Sequence, residues 1–225
     1  AMRAPTAGNM MTYSIITVRK EETKKKLAIS CDNQPFIAKA PLILIFLADY
    51  SKWYKYYEVN GVREFQKDRG ETFAGPSAGS FVLAVQDAVI AAENAVIAAE
   101  SLGIGSCYIG DIMEQKEYHK TLFNLPEYVF PVAMLTLGYY PEDYMVPLKE
   151  RFAEKYVVFE ERYNELSKED IDDMFRKRDQ LFTAKNKYNA KNYAQMHYNF
   201  KVKAPFSKEM QRSVEEALKE WDKKE

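Results

Sequence analysis

The chain has 225 residues, 47% of them hydrophobic, and a formal net charge of −1. That is enough apolar material for one sizeable core, and the near-neutral balance, with no long Lys/Arg run, argues against nucleic acid or another polyanion as partner. Two cysteines, Cys31 and Cys107, stand outside any CxxC spacing. This argues against a disulfide framework and a zinc knuckle, excludes an iron–sulfur module for lack of ligands, and fits a reducing, cytoplasmic setting.

Residues 1–4 read as a helix end stopped by Pro5, and the chain opens on Ala1. The expectation is that the natural product extends upstream. Ala4 to Asn9 is loop chemistry, rich in turn formers. Tyr13 to Val18 is short and β-branched, a strand; Glu21 to Ser30 is a polar helix with a Leu/Ile face. Pro41 to Ala48 is a continuous apolar run, expected as a strand buried on both faces. Residues 50–80 alternate aromatic and polar side chains with Gly70, Gly75, Pro76 and Gly79, and read as a long excursion or lid without firm secondary structure.

From Gln86 to Ser101 the polar positions recur every seven residues, at Gln86/Asp87, Glu93/Asn94 and Glu100/Ser101. Nearly everything between them is Ala, Val, Ile or Leu, which predicts a helix buried almost all round and closed by Gly103. A central helix in a dimer core satisfies this pattern; so does a buried helix of a monomer. Cys107 to Gly110 is a short strand running into a Gly turn. Glu114 to Leu125 is an amphipathic helix, and Phe130 to Leu137 a strand ended by Gly138. Beyond Pro141 comes a polar linker, then charged helices at Ser167–Gln180 and Ser207–Trp221. The longest apolar stretches are of strand length or are broken by Glu and Asn, so neither a signal peptide nor a membrane span is expected. Residues 1–150 are expected to form the core, and 151–225 a helical extension wrapping that core or a partner chain. The expected class is α+β, an α/β-type sandwich with a mixed central sheet flanked by helices and an extended C-terminal arm.

The chemistry-bearing patterns are few. Gly103-Ile-Gly105-Ser-Cys-Tyr-Ile-Gly110 is not GxGxxG, and Asp111 and Ile112 stand where a P-loop needs Lys and Ser/Thr. What remains is either a tight turn or a Gly beside which a backbone N–H can approach a ligand. There is no GxSxG. His119, on a polar helix, and His197, in an aromatic tail, read as surface residues, and no His/Cys cluster offers a metal site. Aromatics at Tyr54, Tyr56, Tyr57, Tyr108, Phe123 and Tyr128 either wall a pocket for a flat ligand or pack ordinarily.

Taken together and in order, several segments resemble the nitroreductase flavoprotein family. They are Ala4-Pro-Thr-Ala-Gly-Asn9 before a strand, Pro41 to Asp49, Asn94 in a helix running to Ala98-Ala-Glu-Ser-Leu-Gly-Ile-Gly105, Tyr108-Ile-Gly110, Gly138-Tyr-Tyr-Pro141 and Lys149-Glu-Arg151. The nearest look is to the branch of NADPH-dependent nitroreductases and flavin reductases. The resemblance implies FMN as cofactor and NAD(P)H as co-substrate. The loop of Pro5, Thr6, Ala7 and Asn9 matches the segment along the isoalloxazine and ribityl chain. Gln34 matches a side chain that hydrogen-bonds the flavin. Tyr108, Ile109 and Gly110 match the strand under the ring, with a backbone N–H near Gly110 directed at flavin N5. Lys149 and Arg151 match the pair that grips the FMN phosphate, which suits two cations facing a dianion. The family's Arg-Arg-Ser-x-Arg opening is missing here, consistent with the upstream extension expected above.

The implied activity is hydride transfer from NAD(P)H through the flavin to a nitroaromatic, quinone or flavin acceptor. The implied assembly is a homodimer, with a small-molecule acceptor as partner and no nucleic acid or membrane. No catalytic side chain and no metal is implied, since the flavin carries the chemistry. Open alternatives are a reductive dehalogenase or flavin-processing enzyme on the same fold, a flavin-binding protein without turnover, and a plain structural domain.

Overall fold

The computed structural model describes residues 1–222. They divide into two compact units: residues 1–142 together with the last helix from Lys208 onward, and residues 143–207.

The first unit is built on a four-stranded sheet of β1 (Tyr13–Val18), β2 (Leu42–Asp49), β3 (Ile104–Ile109) and β4 (Val129–Tyr139), in the order β1-β2-β4-β3. Every neighbouring pair is antiparallel. The expected α+β class holds, but the mixed sheet is corrected. Helices between strands suggested parallel crossovers, yet hydrophobic periodicity carries no strand direction, and here the inserted helices return the chain beside its neighbour reversed.

Both faces of β2 are covered, as its unbroken apolar run requires. Phe46 and Ala48 face one core with Phe81, Ala84, Ala88, Phe130, Leu135 and Trp221. Ile43, Ile45 and Leu47 alternate into a second core with Leu27, Ile37, Ile109, Ile112 and Met134. The β2–β4 register shifts by one residue between Phe46 and Leu47, opposite Ala133 and Pro131. A bulge is where a strand tolerates proline, which cannot donate to the ladder. β4 also runs through Gly138 to Tyr139 and does not stop at the glycine; a Cβ there would lie 3.3 Å from Pro41 Cδ, a close approach that favours glycine.

The helices of this unit are α1 (Glu21–Ser30), α2 (Pro35–Lys39), α3 (Ser51–Val59), α4 (Val62–Asp68), α5 (Ala78–Ser101), α6 (Lys116–Leu122) and α9 (Pro205–Trp221), whose residues from Lys208 on belong here. Residues 1–4, expected as a helix end, form a turn closed by the Ala4 N–H to Ala1 carbonyl bond of 3.0 Å. The 50–80 excursion is also corrected. It holds α3 and α4, joined through Gly61 in the left-handed region at φ 70°. Tyr54 packs on Tyr128 and Phe73 at ring-centroid distances of 4.8 and 5.6 Å, so tertiary contact fixes a segment with weak periodicity.

α5 begins with a Ser77/Ser80 capping box and spans 24 residues. By length and composition alone it could cross a bilayer. Ala84, Ala88, Ala91, Ala92 and Ala99 face the sheet, where their small side chains permit close approach. The opposite side is not buried in the single chain: Val82, Leu83, Val89, Ile90 and Ile97 are exposed, so a helix buried within one chain, one of the two arrangements the pattern allowed, is not what forms. α9 seals one end of the first core, with Trp221 only 1% exposed and edge-on to Phe81 at 5.1 Å.

In the second unit, residues 143–153 carry no helix or strand, and α7 (Lys168–Asp179) and α8 (Tyr193–Lys201) come later. Ser167 and Asp170 form a capping box for α7. Asn192 caps α8 by accepting from Gln195 N–H at 2.9 Å.

Candidate functional site

The N-terminal loop is held by one buried carboxylate. Asp87, on the sheet-facing side of α5 and 2% exposed, accepts from Ala7 N–H at 3.0 Å, Thr12 N–H at 3.1 Å and Thr12 Oγ1–H at 2.7 Å. Thr6 braces the same loop: its Oγ1 accepts from Met11 N–H at 3.2 Å and its carbonyl from Asn9 N–H at 3.1 Å. The loop bends through positive φ at Gly8, Asn9 and Met11, a conformation that short polar residues and glycine enter most readily. Pro5, Gly8 and Asn9 are left exposed, with Thr6 and Ala7 half-buried. The seven-residue polar pattern puts Asp87 in one stripe with Glu93 and Asn94 but does not say which way it faces. The signal that could have placed it inside is its spacing from Ala84, Ala88 and Ala91, which share the helix's buried face.

A second constellation forms where β3 ends. Gly110 opens a 3-10 turn, Gly110–Met113, and is exposed. A Cβ on Gly110 would meet no atom within 4 Å, so open space faces the backbone here. The Gln34 amide is fixed beside it: its Nε2 donates to Asp111 Oδ2 at 2.7 Å and to Cys31 carbonyl at 2.9 Å. Both partners are acceptors, which settles the amide's orientation and leaves Oε1 as an acceptor for a ligand. Ile109 lies in the second core at 3% exposure, so only its backbone could serve a ligand. Tyr108 is on the opposite, exposed side of β3, and its hydroxyl donates to Glu93 Oε2 at 3.3 Å. Burial, with Glu93 nearby, pushes the Tyr108 phenol up to about 12, so it stays a neutral donor at physiological pH.

Gln34 and Gly110 therefore meet through Asp111. The N-terminal loop and Tyr108 are tied to one helix, at Asp87 and Glu93, about 9 Å apart along its axis. Lys149 and Arg151 lie in the second unit, both exposed, lining a cavity of about 540 Å³ with Phe152, Arg176, Lys177 and Arg178. Lys177 is paired with Glu150 and Arg176 with Asp173. No carboxylate pairs with Lys149 or Arg151 among the described residues.

His119 is a correction. It is fully buried, and its Nε2 contacts Ser30 Oγ at 2.8 Å. Burial lowers its pKa, while the backbone of Ile112 and Glu114 lies near enough to favour charge without completing a bond to Nδ1. The helix begins later than expected, because Gln115 takes a left-handed conformation at φ 49°. The aromatic set divides: Tyr54 and Tyr128 pack together, Phe123 joins the second core, and Tyr108 stands apart on β3. Among the described residues no cluster of three or more His, Cys, Asp or Glu could hold a metal.

Known proteins complete the picture. Residues 1–139 match the sequence profile of the Nitroreductase family. The FMN reductase (NADPH) of Bacillus subtilis (strain 168) is 31% identical over 166 residues, 73% of this chain and 62% of that protein. A Cr(VI) reductase of Pseudomonas sp. (strain G-1) is 30% identical over 138 residues, 61% of this chain and 53% of that protein. The chain thus spans between half and two thirds of these relatives' lengths. The solved structure of B. megaterium NfrA2 superposes with a TM-score of 0.78 at 30% identity, covering 100% of this chain and 86% of that one. An antiparallel sheet under a long Ala-rich helix, a loop clamped to that helix and an open glycine at a strand end are thus carried by a chain that belongs to the nitroreductase family.

Proposed function

We propose that the chain is an FMN-dependent oxidoreductase using NAD(P)H, with Pro5, Thr6, Ala7, Asn9, Gln34, Tyr108, Ile109 and Gly110 as the residues that would hold the flavin ring and ribityl chain, and Lys149 and Arg151 as candidate phosphate-binding residues. One observation carries the reading: the Gln34 amide is locked beside the open face of Gly110, with its carbonyl oxygen left to accept from a ligand N–H. A flat ring with an edge of alternating donors and acceptors fits a glycine whose backbone nothing covers. The names of the relatives, an FMN reductase and a Cr(VI) reductase, point the same way. The chemistry FMN supplies when bound is hydride transfer from NAD(P)H to a nitroaromatic, quinone or flavin acceptor. The protein's part is orientation. Gln34, the Gly110 backbone and the loop clamped by Asp87 would hold the ring, and Lys149 and Arg151 would neutralise the phosphate.

The test is a visible spectrum of the purified chain supplied with FMN, before and after anaerobic NADPH. Bound flavin that bleaches supports an enzyme; bound flavin that does not bleach points to a carrier. Gly110→Ala places a Cβ on the open face without meeting a neighbour, so it should weaken FMN binding about tenfold or more with little change in Tm. Equal FMN affinity in that variant would remove Gly110 from the site.

We infer that the protein works as a homodimer. Val82, Leu83, Val89, Ile90 and Ile97 form an apolar strip on α5 that the single chain leaves exposed. Such a strip is what a second copy of the same helix would cover. Ile90→Glu places a charge in its middle and should shift sedimentation from dimer to monomer. A wild-type chain that sediments as a monomer at micromolar concentration would sink this inference.

A further inference from the structure

The turn after Gly110 carries a carboxyl group that the flavin reading does not use. Glu114 follows the 3-10 turn, is 5% exposed, and its Oε1 has no hydrogen-bond donor. A buried charged oxygen without a donor is costly, so the arrangement calls for explanation. Its neighbour in the turn is Asp111, whose carbonyl accepts from Glu114 N–H at 3.0 Å and whose Oδ2 accepts from Gln34 Nε2 at 2.7 Å. Two neighbouring carboxyl groups can hydrogen-bond to each other only when one of them carries a proton.

We propose that Glu114 is a positioning residue of this site: as a neutral carboxyl it donates to Asp111, and Asp111 so anchored holds the Gln34 amide against the Gly110 face. The relay rests on the flavin reading for its purpose, though not for its chemistry. One proton on Glu114 removes the orphaned oxygen and spares Asp111 a like-charged neighbour. Loss of that proton sets two carboxylates against each other, and the Asp111–Gln34 bond gives way.

The surroundings of Glu114 are uniformly hostile to a charge. Burial comes first, then Asp111 from the turn, Asp32 from the α1–α2 connection and Glu209 from α9, and together they push its pKa up to about 7. The nearest cations are engaged elsewhere. Arg212 binds Glu117 and Glu209 at 2.8 Å each, and Lys116 binds Glu220 at 2.6 Å. His119, in α6, is kept toward its neutral form by burial. A carboxyl raised in the folded state adds stability that is complete below its unfolded pKa and is lost as pH climbs through about 7. The same window should govern Gln34.

The experiment is an NMR titration of the chain carrying ¹³C-labelled Glu and ¹⁵N, with Glu114→Gln to assign the carboxyl signal. The Glu114 carboxyl should titrate near pH 7, and the Gln34 side-chain amide signals should move with the same midpoint. FMN affinity, read by fluorescence quenching, should fall about two- to tenfold between about pH 6 and about pH 8.5, the worth of one hydrogen bond. In Glu114→Gln, whose amide donates to Asp111 at every pH, that step should vanish. A Glu114 carboxyl titrating in the ordinary carboxylate range overturns the proposal. So does a Gln34 amide indifferent to it, or a Glu114→Gln variant that keeps the step. If the variant does not fold, the wild-type midpoint shared by Glu114 and Gln34 still decides. If FMN binds at no pH, the flavin reading falls while the two NMR observations continue to judge the relay.

Discussion

Asp87→Ala is expected to destabilise the chain by about 3–5 kcal/mol, as a loss in chemical-denaturation midpoint at unchanged slope. Asp87 accepts from two backbone N–H groups and one hydroxyl, all within 3.1 Å. Removing it leaves the Thr12 donors buried without an acceptor, and each such group costs about 1–3 kcal/mol. The effect should be local as well as global. The Ala7 and Thr12 amides should exchange with solvent much faster in the variant, because Asp87 is what joins the N-terminal loop to α5. Asp87→Asn is not a mild change: its NH₂ would face a donor where an acceptor is needed, and we expect roughly half the alanine loss. A loss below about 1 kcal/mol in Asp87→Ala would show that the clamp contributes little.

Lys149→Ala combined with Arg151→Ala should weaken FMN binding by a few kcal/mol, each charged hydrogen bond to phosphate being worth about 1.5–3. Both side chains are exposed, so the loss should be greatest at low ionic strength and shrink as salt is added. Their neighbours supply the control. Arg176 is engaged by Asp173 at 2.6 Å, and Arg178 lies over the Phe152 ring at 4.2 Å. Arg176→Ala should therefore change FMN affinity far less. The readout is flavin fluorescence quenching across a salt series; an unchanged dissociation constant in the double variant would remove the pair from the site.

Legibility in the sequence followed the strength of local pattern. β1 and α1 stand where β-branching and a Leu/Ile helix face put them, and the apolar run from Pro41 to Ala48 lies in the doubly covered β2 it suggested. What the sequence concealed was relational. Strand direction has no signature in a single segment, so the sheet was expected mixed and is antiparallel. α3 and α4 are held by Tyr54 against Tyr128, a contact between distant segments that no local window contains. Family resemblance offers the candidate site as a set of segments, and of these Gln34 does meet the Gly110 turn. The residues that brace it were not legible. Asp87 is one member of a polar stripe whose direction the sequence does not give, and His119 reads as a surface position of a polar helix. Each is buried because a partner from elsewhere in the chain lies over it, the N-terminal loop in one case and Ser30 of α1 in another.

The central ladder also shapes how the molecule is made. β2 and β4 pair Leu42 with Leu137 and Asp49 with Val129, with α3 to α6 between them in the chain. During synthesis β1 and β2 emerge early as a bare hairpin-like pair whose second edge has no mate until Tyr139 has cleared the ribosome. Contacts closed over such separations form slowly, whereas a long Ala-rich helix forms in microseconds or less. The nascent protein must therefore carry an unpaired apolar strand through an extended waiting period, and its yield in a cell should respond to translation speed and to chaperone supply more than its final stability would suggest.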